Sequence, residues 1–286
     1  MAAVSQSKPP VHRSHLLQRA AVYILVAIVI VGFLLPFTWM ISTAIKTTAE
    51  IFTFPPRVFP NNPTLDNFEV ALNPTFLRYG LNSVIVATLT TFVTLFFATL
   101  SAYAFSRLHF PGRKLILSLI ILTQLLPLAV LIVPMHRIMG GLGLLNTYPA
   151  LVIAYLTFTV PVAVWFLRGF IAGIPIEIEE AAMIDGCTRL QSFLRVILPL
   201  SVPGMTATAT YVFVLTWQEL MFASAFTVTQ DMRTLPIGVL DFIGERTTDW
   251  GGLMAASVLV CIPVLILFMF LQRWFIAGLT RGAIKG

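Results

Sequence analysis

Six long gaps separate consecutive charged residues in this chain: 20–45, 79–106, 115–136, 138–167, 196–218 and 250–272. Each exceeds the roughly 20 residues that a helix needs to cross a hydrocarbon core of about 30 Å. Of the 286 residues only 10% are charged and 58% are hydrophobic, too few charges to cover a soluble protein of this size. Backbone polar groups in lipid must be satisfied within their own segment, so the gaps predict helices. The expected fold class is all-α, a polytopic membrane protein with six transmembrane helices. Pro36, Pro127, Pro161, Pro203 and Pro263 lie in or near the gaps, where membrane helices accept them as kinks.

Positive charge sets the orientation. With the N-terminus in the cytoplasm, twelve of the 18 Lys and Arg residues fall on inner segments and six on outer ones, so both termini are expected inside. The first span is too long for a signal-peptide core and has no small-residue cleavage site after it, so it reads as an uncleaved anchor. The net charge of +6 then reflects topology. Its basic residues are spread over four short segments without a dense patch, which argues against a nucleic-acid partner. Cys187 and Cys261 sit on an inner loop and within a span, so neither a disulfide nor a metal site is expected. His12, His15, His109 and His136 are scattered.

The chain divides into a basic tail at 1–19, a first span with an extracytoplasmic linker at 20–79, a five-span core at 80–275 and a second tail at 276–286. Proline is dense in the linker (Pro55, Pro56, Pro60, Pro63, Pro74). Thr64 is positioned there to cap a short helix with Leu65, Phe68 and Leu72 on one face. Spans are expected near 20–43, 80–104, 115–134, 148–168, 203–224 and 252–273, with an outer loop at 226–250.

The loop at 173–200 stands apart. Four of the chain's 12 carboxylates, Glu177, Glu179, Glu180 and Asp185, crowd into it on an otherwise basic inner face. Pro175 suits a first helical turn, and the following carboxylates suit the positive end of the helix dipole. Gly186 is placed as a left-handed C-terminal cap. Thr188 restarts the chain as a helix, with Gln191 completing a capping box. Leu190, Phe193, Leu194, Ile197 and Leu198 then form an apolar stripe, which predicts a surface helix lying on the inner face of the membrane. The product is a two-helix hook with Ala181 and Ala182 as a small-residue face, open to close approach by a partner. Taken alone, the same features also fit an ordinary connecting loop.

Glu180-Ala181-Ala182, three residues, Gly186, nine residues, then Val196-Ile197-Leu198-Pro199 resembles the EAA loop of binding-protein-dependent ABC importer permeases. That pattern is EAA-x3-G-x9-I-x-L-P, and Val196 in place of isoleucine is the one departure. Pro63-Thr64-Leu65-Asp66-Asn67-Phe68, Phe110-Pro111-Gly112-Arg113-Lys114 and the tail Gly278 to Gly286 are similar to the maltose-permease G-type subgroup, which handles carbohydrates. The resemblance implies a permease core at 80–275 whose cytoplasmic hook couples to an ATP-binding cassette ATPase dimer through Glu180, Ala181, Ala182, Asp185, Gly186, Leu198 and Pro199. It also implies a second homologous permease, an extracytoplasmic solute-binding protein reached by the 226–250 loop, and a bacterial or archaeal inner membrane. Members of the subgroup commonly carry Trp-Asn in span five, where this chain has Trp217-Gln218.

Trp217, Gln218 and Glu219 interrupt the apolar run of span five and are candidates for the solute path. An ionisable group within a span is costly, and an aromatic plate beside amide and carboxylate groups suits a sugar. An interfacial triad with Glu219 in outside water fits the sequence equally well. Gln124 in span three is a further candidate, with a helix-packing hydrogen bond as its alternative. No G-x-x-x-x-G-K-[ST] loop occurs, so ATP and Mg are expected on the partner ATPase and no cofactor on this chain. A stand-alone secondary transporter would show paired repeats and several intramembrane charges. An intramembrane enzyme would need a nucleophile–base pair or an H-E-x-x-H metal set, and the sequence has neither.

Overall fold

A computed structural model describes residues 13–244 and 246–283, with side chains over 19–244 and 246–271. The ends of both basic tails (1–12 and 284–286) and Glu245 of the 226–250 loop lie outside the described residues. In chain order the helices are α1 (Arg13–Ala44), α2 (Thr48–Ile51), α3 (Asp66–Ala71), α4 (Pro74–Arg107), α5 (Arg113–Leu122), α6 (Leu128–Gly141) and α7 (Tyr148–Ala172). They continue as α8 (Ile176–Ile184), α9 (Arg189–Ser192), α10 (Leu198–Leu200), α11 (Val202–Trp217), α12 (Met221–Phe226), α13 (Leu235–Leu240) and α14 (Trp250–Ala283). A lone antiparallel bridge between Ile243 and Thr248 is the sole β pairing among the described residues. Among the described residues, four helices are long and apolar enough to cross a membrane, and six segments qualify if each of two bent pairs counts as one.

The centre of the fold is the contact of α4 with α7 and α11. Asn73 starts α4, its carboxamide oxygen accepting from Phe76 N at 2.9 Å, with Pro74 in the first turn. Along α4 the buried positions Ala87, Thr90, Thr94, Ala98 and Ala102 recur every three or four residues. Such a small-residue face brings helix backbones together without a hydrophobic driving force. Thr94 and Thr159 share a hydrogen bond of 2.8 Å across the α4–α7 interface. At the other extreme, 0% of the most apolar stretch of α1 is buried; α1 contacts α14, and Ser42 to Ala44 at its end are covered. Its apolar surface is left to lipid or to a partner chain.

Gly204, near the start of α11, faces the Phe170 ring of α7, and a Cβ there would sit within 3 Å of three ring atoms. Gly204→Ala should therefore force Phe170 aside at a cost of about 1–3 kcal/mol. We expect a lower thermal midpoint in detergent, and Phe170→Leu in the same chain should recover part of it.

Several sequence expectations change. The third span is not straight: α5, a 3-10 turn at Thr123–Leu125 and α6 form a bent pair with a 99° turn at Pro127. Proline there acts as a breaker beside a stretch without packed neighbours, Leu125 and Leu126 just before it being exposed. Span five is shorter than expected, with α11 ending at Trp217 and the helix resuming only at Met221. In the linker, Thr64 accepts from Asp66 N at 3.1 Å, but the helix starts later and Leu65 and Leu72 are exposed. What holds that segment instead is Asn67, which donates to the carbonyls of Ala44 (2.9 Å) and Lys46 (2.8 Å) at the end of α1.

Candidate functional site

The hook folds from local sequence chemistry. Pro175 stands just before the first turn of α8, at φ −54° and ψ 135°. The helix ends where Gly186 N reaches Met183 O at 3.1 Å and Cys187 N reaches Ala182 O at 3.0 Å. These two bonds make a Schellman corner, which needs a left-handed residue, and Gly186 takes φ +90°. Thr188 and Gln191 form the capping box, with Thr188 N to Gln191 Oε1 at 2.8 Å and Gln191 N to Thr188 Oγ1 at 3.3 Å. Glu180, Ala181, Asp185 and Gly186 are exposed around this corner, Ala182 is half-buried, and Ile184 is 86% exposed.

The second arm departs from a simple amphipathic helix. A π-helical segment at Phe193–Ile197 joins α9 to α10, and the arm meets α11 at a 69° bend. The wider turn rotates the stripe. Phe193 and Ile197 enter the core beside Tyr103, Leu167 and Ile171, whereas Leu190 and Leu194 stay exposed. The expected helix lying on the membrane surface is therefore half inserted into the chain's own fold. Leu198 is half-buried and Pro199 exposed, one turn before the bend.

Sequence reasoning missed the fastening of the hook. Glu179, next to the exposed Glu180, is buried and pairs with Arg107 at 3.0 Å from Nε to Oε2. Tyr103 OH donates to its other oxygen at 2.5 Å. Arg107 Nη2 also donates to Ile174 O at 2.7 Å, at the base of the hook. The signal was legible: Tyr103 and Arg107 lie four residues apart at the end of α4, hence on one face.

The polar trio of span five is split by the helix break. Trp217 is 3% exposed, stacks on Phe213 and donates from Nε1 to Val260 O at 3.2 Å, close to Pro263 of α14. Glu219 is 8% exposed, and its two oxygens accept from Phe222 N (2.9 Å) and Ala223 N (3.1 Å), capping α12. Gln218, between them, is exposed. The interfacial alternative, with Glu219 in water, does not match this burial. Irregular backbone at membrane depth is tolerated where it is enclosed by protein or lines a watery cavity. Gln124 donates to Phe158 O at 3.4 Å from the bend of the α5–α6 pair, a packing bond to α7.

Behind the loop that follows α12 lies a second missed residue. Asn82 of α4 is fully buried, donates to Asp231 O and Arg233 O at 2.7 Å each, and accepts from Tyr148 OH at 2.8 Å. Ser83 accepts from Leu235 N at 2.8 Å, and Tyr79 OH donates to Asp241 at 3.2 Å. Asn146, at φ +62°, accepts from Val228 N and Thr229 N at 2.9 and 3.0 Å. The segment 228–241 is thus fixed to the spans by buried polar side chains.

Residues 94–281, which include the hook, the bend and the trio, match the family described as binding-protein-dependent transport system inner membrane component. The chain belongs to this family. It is 40% identical over 265 residues to the sulfoquinovosyl glycerol transport system permease protein SmoH of Agrobacterium fabrum, covering 92% of this chain and 93% of that one. It is 37% identical over 260 residues to the diacetylchitobiose uptake system permease protein DasC of Streptomyces coelicolor (91% and 94%). With the trehalose/maltose transport system permease protein MalG of Thermococcus litoralis it shares 36% over 278 residues (96% and 99%). Its fold is similar to a chain of a bacterial ABC transporter that imports alginate, with a TM-score of 0.78, 21% identity and coverage of 94% and 100%. This permease is accordingly the membrane component of a binding-protein-dependent ABC importer, a transport subunit and not an enzyme.

Proposed function

We propose that this permease imports a carbohydrate, a sugar, oligosaccharide or related polyol, as one half of a pore completed by a second homologous permease. Six spans, both termini in the cytoplasm and the hook on the inner face follow from counting each bent pair as one crossing and from the charge bias. The observation that carries the reading is the exposed corner of Glu180, Ala181, Asp185 and Gly186 beside the half-buried Ala182, with Ile184, Leu190 and Leu194 as uncovered apolar side chains around it. An acidic and apolar surface on a basic face suits a protein partner, here an ATP-binding cassette dimer that holds ATP and Mg. Leu198 and Pro199 support the corner from the second arm. The carbohydrate assignment is supported by the names of three relatives, which are a sulfoquinovosyl glycerol, a diacetylchitobiose and a trehalose/maltose permease.

In this reading solute crosses beside the break at 218–220. Gln218 offers its amide to solute hydroxyls, while Trp217 and Glu219 shape the break behind it and Gln124 holds the bend of the third span. An extracytoplasmic binding protein delivers the solute at the loop after α12. The test is uptake by the complete complex in proteoliposomes, with its binding protein and ATP, across a panel of sugars, polyols and amino acids. ATP-dependent uptake confined to a carbohydrate is the expected result, and uptake of amino acids alone would overturn the assignment. Within the same assay Glu219→Gln should leave apparent solute affinity within about twofold, because the remaining oxygen still accepts at α12. Gln218→Ala should weaken it by about tenfold or less, the worth of one or two polar contacts.

A further inference from the structure

We propose that α4 is the rod that carries hook movement to the outer segment 231–241, with Tyr103, Arg107 and Glu179 as its inner joint. This rests on the reading of the hook as the ATPase contact.

Both arms of the hook close on one turn of α4. The first arm reaches it through the buried Glu179 carboxylate, held by Arg107 and Tyr103. The second reaches it through Phe193, whose ring centre lies 4.6 Å from that of Tyr103. Arg107 also holds the carbonyl of Ile174, so the last residue of α4 grips the hook at its base and inside its first helix. A buried carboxylate deprived of its cation is strongly disfavoured, so the joint resists sliding and transmits displacement.

The far end of α4 carries the second clamp. Asn82 holds the carbonyls of Asp231 and Arg233, Ser83 holds Leu235 N, and Tyr79 reaches Asp241. The helix that carries both clamps runs 34 residues in all, with proline only at its start. At about 1.5 Å per residue it is on the order of 50 Å long. The other long helices α1, α7 and α14 have internal prolines at 36, 161 and 263, and the two bent pairs break by 99° and 69°. Kinks absorb displacement locally. Among the described long helices α4 is thus the one without an internal proline, and it packs along both α7 and α11. Tyr103, Arg107 and Glu179 are positioning residues: they touch neither solute nor nucleotide.

The experiment uses the intact complex in nanodiscs and compares hydrogen exchange at 231–235 without nucleotide and with ATP plus vanadate. The parent should show a nucleotide-dependent difference there. Glu179→Gln and Tyr103→Phe, each with the ATPase still co-purifying, should reduce that difference roughly three- to tenfold, in the range that mutations along coupling networks produce. Solute moved per ATP hydrolysed should fall with it. Tyr103→Phe keeps the ring against Phe193, so it decides the matter if Glu179→Gln fails to assemble. A purely structural role would change exchange in both states and leave the difference intact. No difference in the parent, or a parental difference in an assembled Tyr103→Phe, overturns the proposal. If Gly186→Val also leaves the difference and the stoichiometry unchanged, the hook reading has failed and not only the rod.

Discussion

Gly186→Val should abolish most of the stimulation of ATP hydrolysis by solute-loaded binding protein. Gly186 closes the Schellman corner at φ +90°, a region that β-branched residues enter only under strain. Nothing lies within 4 Å of an added Cβ, so the substitution acts on the backbone alone and creates no clash. A strain of about 1–3 kcal/mol is enough to open a corner held by two backbone hydrogen bonds. The opened corner carries Asp185 and Ile184 away from Ala181 and Ala182, and the expected loss of stimulation is about tenfold or more. Gly186→Asn is the control, since asparagine enters the left-handed region readily and should retain most coupling. Stimulated hydrolysis is measured in proteoliposomes for parent, Val and Asn chains at equal assembly.

Asn82→Leu should be the most destabilising single change in the span region. The amide is fully buried and its three hydrogen bonds, of 2.7, 2.7 and 2.8 Å, satisfy two loop carbonyls and the Tyr148 hydroxyl. Leucine matches the volume and leaves Arg233 O and the Tyr148 hydroxyl without these partners, at about 1–3 kcal/mol each, while Asp231 O keeps a 3.5 Å bond from Arg78 Nε. The total of about 2–6 kcal/mol is a large share of an ordinary folding free energy. We expect a sharp fall in thermal midpoint and fast hydrogen exchange over 228–235. Slow exchange there, equal to the parent, would mean that Asn146 and Ser83 hold the loop without Asn82.

The hook was the most legible part of the chain. Its proline, acids, glycine and capping box act through neighbours in sequence, and local chemistry is what a sequence displays. The all-helical membrane class was legible for the same reason, since length and charge suffice for it, whereas the breaks that leave four long helices and two bent pairs were not. Glu179 was not legible as a buried anchor, because its neighbours Glu177 and Glu180 are equally acidic and only the packing of α8 on α4 separates them. The π-helical turn at Phe193–Ile197 was hidden likewise: a 3.6-residue stripe fits the letters, and the rotation comes from what Phe193 and Ile197 meet in the core. Pro127 and Pro161 read alike as kinks. One breaks its helix and the other sits inside α7, where Ala154, Phe158, Ala163 and Val164 are buried around it and the helix stays continuous.

Site-directed photo-crosslinking from Asp185 in the assembled complex tests the central claim most directly. A photoreactive side chain there should capture the ATP-binding subunit, with a yield that changes between the nucleotide-free and ATP–vanadate states. Capture of lipid or solvent alone, in a complex that still retains its ATPase, would contradict the assignment of the hook as the point where this permease is driven.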